Sequence, residues 1–406
     1  MSGVFSRLVG QRAVEAELIA ATRAARGDSA HNAFATGAST HSMTHAWLIT
    51  GPPGSGRSVA AVCFAAALQC TSDGEPGCGQ CRACVTTMAG THADVRRIIP
   101  EGLSIGVDEM RTIVQIASRR PSTGRWQVVV IEDADRLTEG AANALLKIVE
   151  EPPPSTVFVL CAPSVDPEDI AITLRSRCRH VALVTPTVDA IAQVLVQTDE
   201  LPEQQARWAA SVSGGHVGRA RRLATDPAAR ERRQRALGLV RDAVKPARAY
   251  AAAEELVATA DAEAKALTVD RDETEAEELK TALGAGGTGK GTAATLRGAT
   301  GAIRDLERRQ KSRLTRASRD ELDRSLIDLA NYFRDALLVA AGADRVAANH
   351  PDMAERVRAL ADHASPERLL ACIEAVLECR EALATNVKPK FAVDGLVAAV
   401  GRALRN

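Results

Sequence analysis

Gly51-Pro52-Pro53-Gly54-Ser55-Gly56-Arg57-Ser58 has the spacing of a phosphate cradle. It follows the apolar run Ala46-Trp47-Leu48-Ile49 and precedes an Ala/Val-rich helical pattern from Val59 to Leu68. A strand, a glycine-rich loop and a helix in that order let backbone N–H groups wrap a phosphate at the helix N-terminus. Gly51, Gly54, Ser55, Gly56, Arg57 and Ser58 are therefore candidate ligands for ATP or ADP with Mg²⁺. The seventh position holds Arg57 where a lysine is expected. A guanidinium keeps the charge, but it is longer and planar and does not match a compact ammonium at the β- and γ-phosphates. The expectation is a nucleotide fold that binds better than it hydrolyses.

Val128-Val129-Val130-Ile131-Glu132-Asp133 reads as a buried central strand that delivers acids to its carboxyl edge. Beside a P-loop, that edge is where Mg²⁺ and an attacking water sit. Glu132 takes the metal-side position and Asp133 the water-activating one, the reverse of the usual order. Each exchange changes reach by a methylene, enough to misplace a water. Cys70, Cys78, Cys81 and Cys84 form a C-x7-C-x2-C-x2-C pattern in a loop with Gly74, Gly77 and Gly79. Four thiolates at that spacing close a tetrahedral zinc site, structural because it has no spare ligand. An Fe–S cluster is the rival, without a partner site for electron transfer. Cys63, Cys161, Cys372 and Cys379 sit in apolar contexts and read as core. Leu174-Arg175-Ser176-Arg177-Cys178 places arginines before a strand, where one could stabilise phosphate charge in a neighbouring protomer. On spacing alone an ordinary surface ion pair is the better reading.

The elements that must position these groups follow from periodicity. Apolar runs at Trp47–Thr50, Val95–Ile99, Val128–Ile131, Val157–Cys161 and His180–Leu183 alternate with helical stretches through residue 185. That alternation predicts an α/β parallel sheet covered on both faces. Residues 186–245 read as a small helical domain broken at Gly214-Gly215, and 246–406 as an all-helical domain. Leu283–Gly301 interrupts the latter with a Gly/Thr/Ala-rich linker. Its Gly284-Ala285-Gly286-Gly287-Thr288-Gly289-Lys290-Gly291 imitates a second P-loop, but it lacks the final Ser/Thr and a preceding strand.

Composition narrows the function classes. Lys+Arg and Asp+Glu both total 51, so no global field recruits nucleic acid or anionic membrane. Aromatics are 3 %, which leaves the core to Ala, Val, Leu and Ile. No apolar run reaches the roughly 18 residues of a membrane span and no export pattern opens the chain, so the expectation is a cytoplasmic protein with no membrane partner. Nine cysteines without export favour metal or reduced thiols over disulfides. The arginine-rich stretches Arg219–Arg241 and Arg304–Arg319 carry acids and no interleaved aromatics, and read mostly as solvated helix faces.

Taken together, these residues resemble the bacterial AAA+ clamp-loader family, through about the first 225 residues in order. Val9-Gly10-Gln11 is similar to the family's opening motif against the adenine, and His45-Ala46-Trp47-Leu48 leads into the P-loop as in these proteins. The four-cysteine insertion follows the P-loop helix, and Asn143-Ala144-Leu145-Leu146-Lys147-Ile148-Val149-Glu150-Glu151-Pro152-Pro153 resembles the helix after the acidic strand. Ser176-Arg177-Cys178 matches the motif whose arginine reaches the ATP of the adjoining subunit, which makes Arg177 the candidate trans finger. The resemblance implies an AAA+ module, a helical lid and an all-α collar. It implies assembly with delta and gamma/tau-like ATPase subunits in a five-membered open ring that places a sliding clamp on primed DNA, as part of a DNA polymerase holoenzyme.

The departures point to the delta-prime, or stator, branch of that family. The first sensor position reads Ala162-Pro163 instead of Thr or Asn. Gly215-His216-Val217-Gly218 puts Gly218 where the second sensor's arginine belongs, with Arg219 adjacent. With Arg57 and the exchanged acids, four parts that phosphoryl transfer needs are altered, and such losses compound. Weak or absent ATPase activity is expected. The alternatives are the motor ATPase itself, which needs Lys, Thr/Asn and Arg at positions 57, 162 and 218, and a zinc-containing AAA+ DNA-binding regulator, which neutral net charge disfavours.

Overall fold

A computed structural model describes residues 3–27, 43–283, 292–343, 346–385 and 387–405, with 292–300 described in backbone only. The imitation P-loop at 284–291 lies outside the described residues. The chain forms two compact units, Met1–Pro100 with Ser104–Ala224 and Glu101–Leu103 with Thr225–Asn406.

The first unit alternates helices and strands: α1 (Arg12–Gly27), β1 (Ala46–Thr50), α2 (Arg57–Gln69), α3 (Arg82–Met88), β2 (Val95–Ile98), α4 (Val107–Ala117), β3 (Gln127–Ile131), α5 (Glu139–Glu150), β4 (Thr156–Ala162), α6 (Ile172–Arg175) and β5 (Arg179–Ala182). Three further helices follow, α7 (Val188–Asp199), α8 (Glu203–Ser211) and α9 (Val217–Thr225). All five predicted strands are present and pair in parallel in the order β2-β3-β4-β1-β5. Every residue of β1, β3 and β4 is buried, as central strands covered on both faces require, while β2 and β5 at the edges are buried only in part.

Strand alternation sorts the core into two layers. Trp47, Ile49, Val128, Val130, Val157 and Val159 face α1 and α2, where Trp47 meets Phe64 edge-on at 4.9 Å between ring centres. Leu48, Val129, Ile131, Phe158 and Leu160 face α4 and α5. The P-loop leaves the carboxyl end of β1 and the acids leave that of β3, with β4 between them. Gly51 N–H donates to Pro163 O at 3.2 Å and ties the ends of β1 and β4 together.

The second unit is helical: α10 (Pro227–Ala243), α11 (Pro246–Ala282), α12 (Thr292–Ala340), α13 (Ala354–His363), α14 (Pro366–Ala384) and α15 (Pro389–Arg405). Prolines at the first turns of α10, α11 and α14 cost no hydrogen bond there. α12 begins at Thr292, inside the segment expected as linker, where Ala293, Ala294, Leu296 and Arg297 are good helix formers. Leu322, Leu326, Leu329 and Phe333 recur at helical spacing along α12 and pack against Leu369, Val376 and Leu383 of α14 and Val393 and Val397 of α15. The expected Ala/Leu/Val core is what fills this bundle.

Three arginines of the stretches expected as solvated faces are internal instead. Arg233 is salt-bridged to Asp352 at 2.7 Å and donates to His350 Nδ1 at 2.6 Å. Arg313 pairs with Asp272 at 2.6 Å and Glu275 at 3.0 Å. Arg319 donates to the carbonyls of Leu383, Thr385 and Val387, and so closes the C-terminus of α14. Each burial is compensated by partners from segments distant in the chain, which periodicity within one helix cannot reveal.

Candidate nucleotide-type site and metal centre

The cradle forms where the glycines demand it. Gly54 and Gly56 take φ of +84° and +98°, and Gly56 stands immediately before α2, so Arg57 and Ser58 open the helix. Arg57 does not project freely: its Nη1 donates to Gly51 O at 2.6 Å, inside the loop's own turn. A Cβ at Gly54 would fall 2.5 Å from the Cβ and Cγ of His216, so the segment after Gly214-Gly215 lies directly against the loop. Ser55 is buried with its Oγ unpartnered, and its carbonyl receives Gln11 Nε2 at 3.3 Å. Gln11 also donates to Val184 O at 2.6 Å and accepts from Val184 N–H at 3.2 Å. The opening Val9-Gly10-Gln11 motif thereby braces the P-loop against the end of β5.

The acids behave differently from one another. Glu132 Oε1 accepts both Nε and Nη2 of Arg97 on β2, at 3.0 and 2.7 Å. The carboxylate in the metal-side position is thus held by a guanidinium. Asp133 adopts φ 52°, ψ 55°, a left-handed conformation that aspartate tolerates better than most residues. Burial pushes the Asp135 carboxyl above its usual range, the Asp133 carboxylate adds to this, and Arg57 opposes it. Loop cation and strand acids therefore share one electrostatic environment. The first sensor position holds no side-chain donor, since Ala162 ends β4 fully buried. Arg97 escaped sequence reasoning, because nothing local links an edge strand to the loop, whereas His216 lies in the Gly215–Gly218 segment already aligned with the second sensor.

Cys70 ends α2, Cys78 and Cys81 follow in the glycine-bearing loop, and Cys84 lies in α3. The four sulfurs lie within 4.8 Å of one another, and the Cys70 and Cys81 sulfurs are 3.9 Å apart. Zn–S bonds of about 2.3 Å in a tetrahedron separate sulfurs by about 3.8 Å, so the set needs little adjustment to hold zinc. Gly77 and Gly79, at φ +83° and +76°, turn the loop so that Cys81 N–H points at Cys78 Sγ, 3.3 Å away, and Cys84 N–H points at Cys81 Sγ, 3.4 Å away. Burial alone would raise the Cys81 thiol, but N–H donation from Cys84 and Thr71 brings it down to about 6. Arg26 of α1 fastens the loop by donating to Gly74 O at 2.7 Å and Cys70 O at 3.1 Å. Cys63, Cys161, Cys372 and Cys379 are buried away from this cluster.

Arg177 follows α6, at the amino end of β5, and is more than a third exposed. It is salt-bridged to Glu150 at the end of α5 at 2.5 Å and donates to Thr173 O at 2.8 Å. β5 runs parallel to β1, so Arg177 and the P-loop stand at opposite ends of the sheet. At about 3.3 Å per strand residue, the guanidinium cannot reach its own cradle.

The strand order, the loop after β1 and the acids after β3 define an AAA+ P-loop module with a four-cysteine insertion, followed by helices. Residues 27–187 match the family described as DNA polymerase III, delta subunit, and residues 314–390 match its C-terminal family. The delta-prime subunit of DNA polymerase III from Escherichia coli is 36 % identical over 179 residues, 43 % of this chain and 53 % of that one. The tau subunit from Bacillus subtilis is 36 % identical over 150 residues, 37 % of this chain and 26 % of that one. A solved gamma subunit-related protein from Thermotoga maritima aligns with 88 % of this chain and 94 % of its own at 17 % identity and a TM-score of 0.40. The aligned region spans about half the length of the delta-prime relatives. Over these regions the chain is similar to delta and delta-prime subunits of DNA polymerase III. Among the described residues no helix is long and apolar enough to cross a membrane.

Proposed function

We propose that this chain is the stator of a bacterial clamp loader, a cytoplasmic subunit that helps place the sliding clamp on primed DNA. The observation that carries this reading is the state of its own nucleotide machinery. Arg57 is engaged by Gly51 O and Glu132 by Arg97, while Arg177 stands exposed at the far end of the sheet. Its salt bridge to Glu150 lies at the surface, where a neighbouring subunit's phosphate can compete for the guanidinium. Arg177 acts in trans on the ATP of a neighbouring gamma/tau-like subunit, where an arginine finger offsets charge as the phosphoryl group leaves. Gly51, Gly54, Ser55, Gly56, Arg57 and Ser58 with Glu132 and Asp133 persist as a scaffold that takes ATP or ADP weakly and turns it over slowly or not at all. Cys70, Cys78, Cys81 and Cys84 hold a structural Zn²⁺ that fastens α2 to α3. Helices α7–α9 form the lid, and the helical second unit is the collar that joins delta and the ATPase subunits.

Co-purification with candidate clamp-loader subunits, combined with ATP turnover by the isolated chain, tests the reading. The expected result is a stable assembly and negligible turnover by the chain alone. Vigorous autonomous hydrolysis, or failure to enter the assembly with and without nucleotide, overturns it.

A further inference from the structure

The two ends of the Arg177 guanidinium are held by unlike contacts. Nη1 donates to Thr173 O at 2.8 Å and to Ser176 Oγ at 3.2 Å, and Ser176 Oγ–H donates in turn to Thr173 O at 3.0 Å. These partners belong to the same short segment as the arginine and stay with it. Nη2 makes a salt bridge at 2.5 Å to Glu150 Oε1, which comes from another element, the end of α5. Nη1 is therefore a pivot, and Nη2 is free to change its partner while the pivot holds.

Glu150 stands where a helix least favours an acid. It is the last residue of α5, beside Glu151, at the negative end of the helix dipole. Its backbone is fixed without help from Arg177. Val149 is fully buried, the Val149 carbonyl lies 2.6 Å from His45 Nε2, and Pro152 bars the helix from continuing. A residue that breaks a local rule on a fixed backbone points to a role beyond stabilising its own element. The side chains of Arg177 and Glu150 are 37 % and 46 % exposed, so an anion from outside reaches the pair.

On the reading of Arg177 as a trans finger, we infer that Glu150 is its latch. The Glu150 carboxylate competes for Nη2 with the phosphates of the neighbouring subunit's ATP, and so sets how much ATP that site needs before Arg177 engages. Engagement exchanges a carboxylate oxygen for a phosphate oxygen at Nη2 while Nη1 stays on Thr173 O. A carboxylate left beside the triphosphate also repels it, so both effects oppose engagement. An exposed ion pair shifts an equilibrium by about fivefold at most, which makes the latch a tuning device and not an on–off switch.

ATP titrations of turnover in a reconstituted clamp-loader complex compare the parent chain with Glu150→Gln, Arg177→Ala and the two combined. Glutamine keeps the size and removes the charge. Glu150→Gln should lower the half-saturating ATP concentration at the site served by Arg177 by about two- to fivefold, the change falling on half-saturation and not on the maximal rate. The combined variant should match Arg177→Ala. An unchanged ATP requirement overturns the latch, and a lower melting temperature of the free Glu150→Gln chain would then make the pair structural. A raised requirement also overturns it, because Glu150 would then aid the finger. So does the same fall in the Arg177→Ala background, which would take Arg177 out of the effect. Parent-like turnover with Arg177→Ala alone instead removes the finger itself, and the latch with it.

Discussion

Arg57 and Glu132, the two departures from the usual P-loop and acidic-strand residues, are both engaged by partners within the chain. The guanidinium of Arg57 is long enough to turn back onto Gly51 O, a charge-assisted bond worth about 1.5–3 kcal/mol that an incoming phosphate must replace. A shorter, point-like ammonium has no such planar fork to satisfy. Glu132, largely buried, is already paired through Oε1 with Arg97, so a metal ion would compete with that guanidinium for the carboxylate's charge. The cysteines make the opposite case, with four sulfurs converging from three segments. Cys81→Ser removes one of four ligands whose sulfurs converge within 4.8 Å. Zinc content by mass spectrometry should fall from one per chain toward zero. The melting temperature should fall by at least about 5 °C, at roughly 2–4 °C per kcal/mol for a unit this large. Zinc retained at one per chain in the variant would exclude Cys81 as a ligand, and a parent protein without zinc would exclude the metal centre.

Among elements, the loop before α2 is the most constrained. A methyl group at Gly54 meets His216 at 2.5 Å and must also adopt φ +84°. Gly54→Ala should therefore cost on the order of 1–3 kcal/mol, read as a lower urea midpoint, whether or not any nucleotide is bound. A neutral effect would mean the contact with the α9 segment is not maintained. The central strands were legible from sequence because their burial is written in consecutive apolar residues, Val128–Ile131 being the plainest. The P-loop and the cysteine cluster were legible because their chemistry depends on spacing along one segment. Arg97 opposite Glu132 and the buried Arg233, Arg313 and Arg319 were not. Each is defined by a partner remote in the chain, and a charged residue in isolation reads as solvated.

The second unit should respond to acid as a whole. His350 is buried between Arg233, which donates to its Nδ1, and Asp328 O, 3.0 Å from its Nε2, while Asp335 receives its backbone N–H and Asp352 shares Arg233. Burial, reinforced by the Arg233 charge, holds the imidazole below its ordinary value of 6.5. The unfolded chain therefore binds a proton that the folded unit refuses. Stability is full above about pH 6.5 and declines as pH falls below it, by up to about 1.4 kcal/mol per pH unit for one such group. Urea unfolding of the full chain at pH 7.5 and 5.5 should show the midpoint of this unit falling, and His350→Gln should flatten that difference while lowering both midpoints. Equal midpoints in the parent protein would contradict the buried neutral imidazole.

In the proposed assembly Arg177 lends its guanidinium to an ATP held by a neighbouring subunit. Arg177→Ala, placed in a reconstituted clamp-loader complex, tests it most directly through DNA-stimulated ATP turnover. The complex should assemble with normal composition while turnover at the site served by Arg177 falls about tenfold or more. Turnover equal to that of the unsubstituted complex would contradict it.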